Sequence, residues 1–346
     1  MKHFRRSGIT FFVLLMLSSL VFAHGDISEY DDYTYINEET GTMVRIWVED
    51  GIRYFESNVL PDHETGEFPN SGNPHEISVQ NLMLQTTANP ELADEITEVG
   101  LGKFGLSING IPFEREAAEW YNRDSSSGWQ YDAFGGGIEL GFDMNNAHVQ
   151  PTGLYHYHGI PDVLVEDDSL IHHPDLIGFA ADGFPIYIMF GYENAEDASS
   201  TIIELQPSYQ LREGTRPSGP GGAYDGTFNE DWEYIEGLGD LDQCNGRTGI
   251  TPEFPEGTYY YVLTQAFPRI PACWSGTPDD GWLPRGGDTQ GAGSGQPGGS
   301  SGGGQNPPPT QSGGGGGQNP PPTPQGGGNG GGQNPPPTPQ GGGGGN

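Results

Sequence analysis

The last 61 residues, Gly286 to Asn346, hold 26 Gly and 12 Pro, with Asp288 as their one charge. Such a stretch has almost nothing apolar to bury and cannot offset the entropy of ordering its own backbone. Within it, Gly-Gln-Asn-Pro-Pro-Pro-Thr recurs from Gly304, Gly317 and Gly332. Triple proline favours stiff polyproline II, whereas the intervening Gly runs are flexible. This segment is expected to be a disordered repeat tail, a spacer at a cell surface or in a matrix. Whatever folds must come from upstream.

The opposite end reads as an export signal. Lys2, Arg5 and Arg6 precede an apolar run from Ile9 to Phe22, interrupted by Thr10, Ser18 and Ser19, and Val21-Phe22-Ala23 fits a cleavage site. The run is short for a bilayer, and no later stretch approaches about 18 apolar residues, so no membrane span is expected. The rival reading is an uncleaved anchor. The expected organisation is a signal peptide at 1–23, a folded domain at 24–285 starting with His24, and the tail at 286–346. The expected location is secreted, periplasmic or at the cell surface.

Charge narrows the partners. Of the net charge of −34, the first 23 residues contribute +3 and the tail −1, which leaves −36 for the middle segment. Lys103 is the sole Lys after the signal. With no basic patch to neutralise phosphates, nucleic acid is excluded as a partner and anionic membranes are disfavoured. All 16 Tyr fall in this segment, which argues against an acidic disordered chain. The acidic surface suits saline or cation-rich surroundings with bound Ca²⁺, or serves as a solubilising coat. Oligomeric state is not legible.

Cys244 and Cys273 are the only cysteines. In an oxidising compartment they are expected to form a disulfide, closing a loop of about 30 residues and contributing roughly 3 to 4 kcal/mol. A two-thiolate metal site is the alternative, and the spacing excludes a CxxC redox pair.

The middle segment reads as mainly β, a single sandwich- or barrel-like domain with long loops and one or two short helices. Met43–Val48 and Ile52–Phe55 suggest a hairpin about Glu49-Asp50-Gly51. Further strands are expected at Ile77–Leu84, Phe104–Ile108, Ile138–Phe142, Phe184–Phe190 and Thr258–Thr264. Pro112–Asn122 is the best helix, with Pro early and Ala117, Ala118 and Trp120 inside.

Chemistry concentrates between His148 and Gly159. Pro151-Thr152-Gly153 fits a three-residue hairpin loop, with Pro at the first corner and Gly at the left-handed position. That loop sets Gln150 against Leu154 and therefore His148 against His156. His158, two residues on, shares their face, while Tyr155 and Tyr157 point to the other. Three converging imidazoles suit Zn²⁺ or Cu²⁺, with a fourth position for water, a carboxylate or a phenol. The alternative is a set of core histidines hydrogen-bonded in a tyrosine-rich interior. His172, His173 and Asp182 are the candidates for an extra ligand; otherwise the two histidines are an exposed loop and Asp182 serves the turn into Ile186. His63 and His75 read as loop residues. At a cleaved N-terminus, His24 would pair an α-amino group with its imidazole, a minor copper chelate. Arg247, a rare cation here, is expected to hold a carboxylate internally.

Tyr155-His156-Tyr157-His158, within "HVQPTGLYHYHGIP", resembles the signature of the YHYH-domain family of secreted, mostly bacterial proteins. Segments starting at Ser57, Ile108, Gly178 and Leu241 are also similar to that family, in the expected order, so the resemblance covers about Ser57 to Trp274. It implies domain limits and export but no catalytic assignment. The chain has Tyr260 where the resemblance would place a His, so no ligand role is carried over there.

Outside the Gly-rich tail Gly-x-Ser-x-Gly does not occur, and His-Glu-x-x-His and a phosphate-binding Gly loop with Lys occur nowhere in the chain. An enzyme reading therefore rests on an open metal site. Three readings stand: an exported domain with a His-based Cu or Zn site, a secreted metal-dependent enzyme, and a structural or adhesive surface module with core histidines.

Overall fold

Two antiparallel hairpins in succession build the first layer of the protein. The computed structural model describes residues 27–165 and 172–283. The expected signal segment, His24 and the Gly/Pro array lie outside the described residues. Strands β1 (Asp32–Asn37), β2 (Thr42–Glu49), β3 (Ile52–Ser57) and β4 (Leu82–Thr87) form a four-stranded meander. The β2–β3 turn is the expected one: Asp50 and Gly51 both take positive φ, 51° and 78°, the backbone of the tight turns that match strand twist. Side chains alternate across this sheet, so Val44, Ile46 and Phe55 are wholly buried while Arg45 faces solvent.

The second layer is an eight-stranded mixed sheet. Its strands are β6 (Lys103–Ser107), β7 (Pro112–Glu114), β8 (Ala147–Val149), β9 (Tyr155–Tyr157), β10 (Gly178–Ala180), β11 (Pro185–Ile188), β16 (Gly246–Gly249) and β17 (Thr258–Leu263). They run in the order β16-β17-β11-β10-β6-β7-β9-β8. Pairs β11–β17 and β7–β9 are parallel and the others antiparallel. Its central strands are buried along their length, as expected of strands covered on both faces. Shorter pairs complete the chain: β5 (Leu92–Glu98) with β18 (Cys273–Gly276), β12 (Phe190–Tyr192) with β13 (Ile202–Glu204), and β14 (Tyr209–Leu211) with β15 (Trp232–Tyr234).

The two large sheets face each other as an open sandwich. The Phe55 ring meets Phe179 of β10 at 6.2 Å, Ser57 Oγ donates to Gly110 O at 2.8 Å, and Thr86 Oγ1 donates to Ala181 O at 2.7 Å. Arg53 lies inside this layer, its guanidinium carbon 4.1 Å from the Phe179 ring centre, donating to Tyr30 O at 2.7 Å.

Three local expectations are corrected. The Pro112–Asn122 helix is absent: Pro112–Glu114 is β7, and Tyr121–Arg123 is a 3₁₀ turn. Ladder pairing of Phe113 with Gly105 and with Tyr157 overrides a local pattern that merely permits a helix. Ile138–Phe142 is not a strand, because Gly141 at φ 65° breaks any extended run. The strand expected at Ile77–Leu84 starts later, at Leu82. Among the described residues, helical structure is confined to five 3₁₀ turns of three to five residues.

Candidate metal centre

Hairpin β8–β9 has the register that its loop implies: His148 pairs with His156. Gln150 N–H donates to Leu154 O at 2.9 Å, and Gly153 N–H to Gln150 O at 2.8 Å. Gly153 is required twice over, since its φ is 85° and a Cβ there would lie 1.9 Å from Ser78 Oγ. His158 N–H donates to Asn146 O at 2.8 Å, which continues the pairing past β9.

The three imidazoles converge on one face. Their ring centres are 4.6 to 4.8 Å apart. His158 Nε2 stands 2.9 Å from His156 Nε2 and 3.1 Å from His148 Nε2. One nitrogen from each ring lies within 4.8 Å of the others, the only such group of three or more His, Cys, Asp or Glu among the described residues.

The far side of each ring decides its chemistry. His148 Nδ1 meets Leu140 O at 2.9 Å, His156 Nδ1 meets Leu154 O at 3.3 Å, and His158 Nδ1 meets Arg115 O at 3.3 Å. A carbonyl only accepts, so these contacts are hydrogen bonds when Nδ1 carries the proton. In the neutral rings, each Nε2 then presents a lone pair to the common centre. Ligands of a tetrahedral Zn²⁺ with bonds of about 2.0–2.1 Å stand about 3.3 Å apart, so the observed spacings need open by only a few tenths of an ångström.

Burial keeps the rings neutral. His156 and His158 are 2% and 3% exposed, and desolvation followed by their histidine neighbours pushes both well below the usual imidazole range. His148, at the edge of the group, is lowered to about 4, mainly by burial; the bond to Leu140 opposes the shift and the nearby His75 adds to it. Phe142 packs 5.1 Å from both His148 and His158. Beside His158, a small cleft is walled by Arg115, Asp132, Phe134, Asn229 and Arg269.

Glu114 is a site residue that local sequence patterns do not reveal. Its Oε2 lies 3.8 Å from His156 Nε2 and accepts from Gln150 Nε2 at 2.6 Å. Lys103 Nζ is 3.6 Å from its Oε1. The signal was hidden in a stretch that reads as helix, and only the tertiary placement of β7 beside β9 brings the carboxylate to the rings.

The other sequence candidates lie elsewhere. Asp182 bonds to Tyr261 Oη at 2.5 Å and Gly276 N at 2.8 Å, and burial raises its carboxyl to about 6. It closes the β10–β11 turn, where Gly183 takes φ 94°. His173 is buried against the rings of Tyr187, Tyr192 and Tyr260, not exposed as a loop residue would be, and His172 is half-buried; neither joins the triad. Among the described residues Arg247 pairs with no carboxylate: its Nε donates to Tyr260 Oη at 2.6 Å and its guanidinium to Tyr192 O at 2.7 Å. Cys244 and Cys273 are joined, with Cα atoms 5.0 Å apart.

Across the hairpin, Tyr155 and Tyr157 do point away from the imidazoles. Tyr155 donates to Asp143 Oδ2 at 2.7 Å, and Tyr157 Oη lies 3.1 Å from Asn109 Nδ2 and 3.4 Å from His63 Nε2. His63 is in a loop, as expected, but its side chain is only 5% exposed and its Nδ1 lies 3.0 Å from Asp62.

Comparison with known proteins agrees with the signature. No curated protein and no solved structure matches the chain. A family model described as "YHYH protein" matches residues 83–276, a span that contains the hairpin, Glu114 and the disulfide. That span exceeds half of the chain, and the protein belongs to the YHYH family.

Proposed function

We propose that this protein is an exported metal-binding module whose centre is Zn²⁺ or Cu²⁺ held by His148, His156 and His158. The observation that carries this reading is the convergence of three Nε2 atoms, each on a ring whose Nδ1 faces a backbone carbonyl. Three lone pairs aimed at one point in a buried site repel each other, and a cation at that point turns the repulsion into coordination. Export draws support from the intramolecular disulfide and from the signal-like first 23 residues. Among the described residues, no helix is long and apolar enough to cross a membrane. In this reading the domain spans 24–285, and the Gly/Pro array is its spacer.

A second reading, core histidines in a structural module, is favoured by the near-complete burial of His156 and His158 and by their backbone bonds. Metal analysis of protein purified without a His tag separates the two. About one equivalent of Zn or Cu, lost on replacing His156, supports the metal module; no metal bound under saturating Zn²⁺ or Cu²⁺ leaves the structural reading. A secreted enzyme would need substrate to reach the centre, for which the small cleft beside His158 offers an opening. Activity that depends on the metal and is lost with chelator would favour it.

A further inference from the structure

We infer that Glu114 is the fourth ligand of this centre, which makes it a closed three-histidine, one-carboxylate site for a divalent ion; this rests on the metal reading above. The placement follows from the sheet. Strand β7 lies parallel to β9 with Phe113 opposite Tyr157, and those two rings pack together at 5.6 Å on the tyrosine face. One residue further, Glu114 turns to the opposite face, where His156 and His158 project. Alternation along β8 likewise sets Gln150 on the face of His148, and its amide donates to Glu114 Oε2 at 2.6 Å.

Distance and charge both bear on the assignment. Glu114 Oε2 is 3.8 Å from His156 Nε2 but stands outside the set of atoms within 4.8 Å of one another that the three imidazoles form, and ligands on one tetrahedral ion stand about 3.3 Å apart, so coordination draws the carboxylate inward by more than about an ångström relative to at least one other ring. Glu114 is 6% exposed. A buried carboxylate facing imidazole lone pairs sets acceptor against acceptor, and a cation between them resolves it. The carboxylate in turn lowers the net charge of a bound dication from about +2 to about +1, which eases its burial. Lys103, the only Lys after residue 2, pairs with Glu114 across the β6–β7 ladder and fixes the outer oxygen. A set of three imidazoles and one anionic oxygen favours Zn²⁺, Co²⁺ or Cu²⁺ over the softer Cu⁺. Gln150 acts as the positioning residue, since it touches Glu114 and not the ion.

The test uses the full exported chain with Zn²⁺ and with Co²⁺ as a spectroscopic probe. Wild type should bind one Co²⁺ with the intense visible bands of a four-coordinate site, and a crystal of the Zn²⁺ form should place Glu114 Oε2 at about 2.0–2.2 Å from the ion. Glu114→Gln should bind Zn²⁺ more than about 10-fold more weakly and shift the Co²⁺ bands, while Gln150→Ala, with the carboxylate retained, should lose about 10-fold with a smaller shift. If wild type binds and Glu114→Gln matches it in affinity and spectrum, Glu114 is not a ligand and the three-histidine reading survives. If wild type binds neither ion, the metal reading itself fails. Should Glu114→Gln not fold, the Zn²⁺ crystal still decides: a water in the fourth position overturns the assignment.

Discussion

His156 Nε2 and His158 Nε2 lie 2.9 Å apart on side chains almost wholly removed from water. The two rings also carry Nδ1 contacts to Leu154 O and Arg115 O, so neither is free to turn away. On the proposed metal reading the hairpin preorganises the binding point: the entropy of ordering the ligands is lost in folding, and an arriving ion would meet them already aimed.

The same burial predicts an acid-labile apo domain. His148 has a folded pKa of about 4 against 6.5 for a free imidazole, and His156 and His158 are lowered well below the free value. Because the folded values are depressed, the stability linked to these neutral rings is complete above pH 6.5 and is lost as pH falls toward about 4. For His148 alone the shift corresponds to about 3 kcal/mol. Urea midpoints of the metal-free domain should fall across this window, and saturating Zn²⁺ should raise them throughout without flattening the fall, because the unfolded chain still takes up the protons. A metal-free midpoint that stays constant from pH 7 to 4 would contradict the protonation argument.

Replacing Gly153 should uncouple the hairpin from the site. Alanine at φ 85° is strained, and its Cβ would meet Ser78 Oγ at 1.9 Å. Gly153→Ala is expected to cost about 1–3 kcal/mol in thermal or urea unfolding and to weaken metal binding at least about 10-fold. Metal affinity equal to wild type would show that the loop does not set the register of His148 against His156.

How much of this was legible in the sequence depends on the range of each contact. Pro151-Thr152-Gly153 encodes its own turn, so the facing of His148, His156 and His158 follows from residues within a span of eleven. The Asp50-Gly51 turn was legible for the same reason. Glu114 reaches the site through strand pairing with Lys103 and proximity to β9, contacts that no local pattern contains. Asp182 serves the turn that Asp182-Gly183-Phe184-Pro185 suggests locally, yet it also accepts from Tyr261 Oη, 79 residues away. His173 follows the same logic: its environment of Tyr187, Tyr192 and Tyr260 is assembled by strands distant in sequence.

Reduction should destabilise the domain without emptying the metal site. The Cys244–Cys273 bond ties the turn before β16 to β18, and closure of a loop of about 30 residues is worth roughly 3 to 4 kcal/mol. A Cys244→Ser, Cys273→Ser double variant should lose about that amount in urea unfolding while retaining stoichiometric Zn²⁺ at 25 °C, since neither cysteine belongs to the histidine group. Loss of metal in a variant that remains folded would point to the thiolate alternative instead.

The two faces of β9 make the sharpest comparison. His156 belongs to this strand and His63 packs against it, and both side chains are largely buried, but His156 projects to the side of His148 and His158 while His63 packs on Tyr155 and Tyr157. His156→Ala removes a lone pair from the centre and should weaken Zn²⁺ binding by more than the about 10- to 100-fold typical of an outer partner. His63→Ala removes contacts to Asp62 and Tyr157 and should lower stability by about 1–3 kcal/mol with metal affinity within about 3-fold of wild type. Titration calorimetry with Zn²⁺ and urea unfolding on the same two variants read both quantities. If both variants lose stability alike and neither changes Zn²⁺ affinity, the imidazoles of β8 and β9 are core residues. If both lose the metal, the tyrosine face is part of the centre and the division of β9 into a binding side and a packing side is wrong.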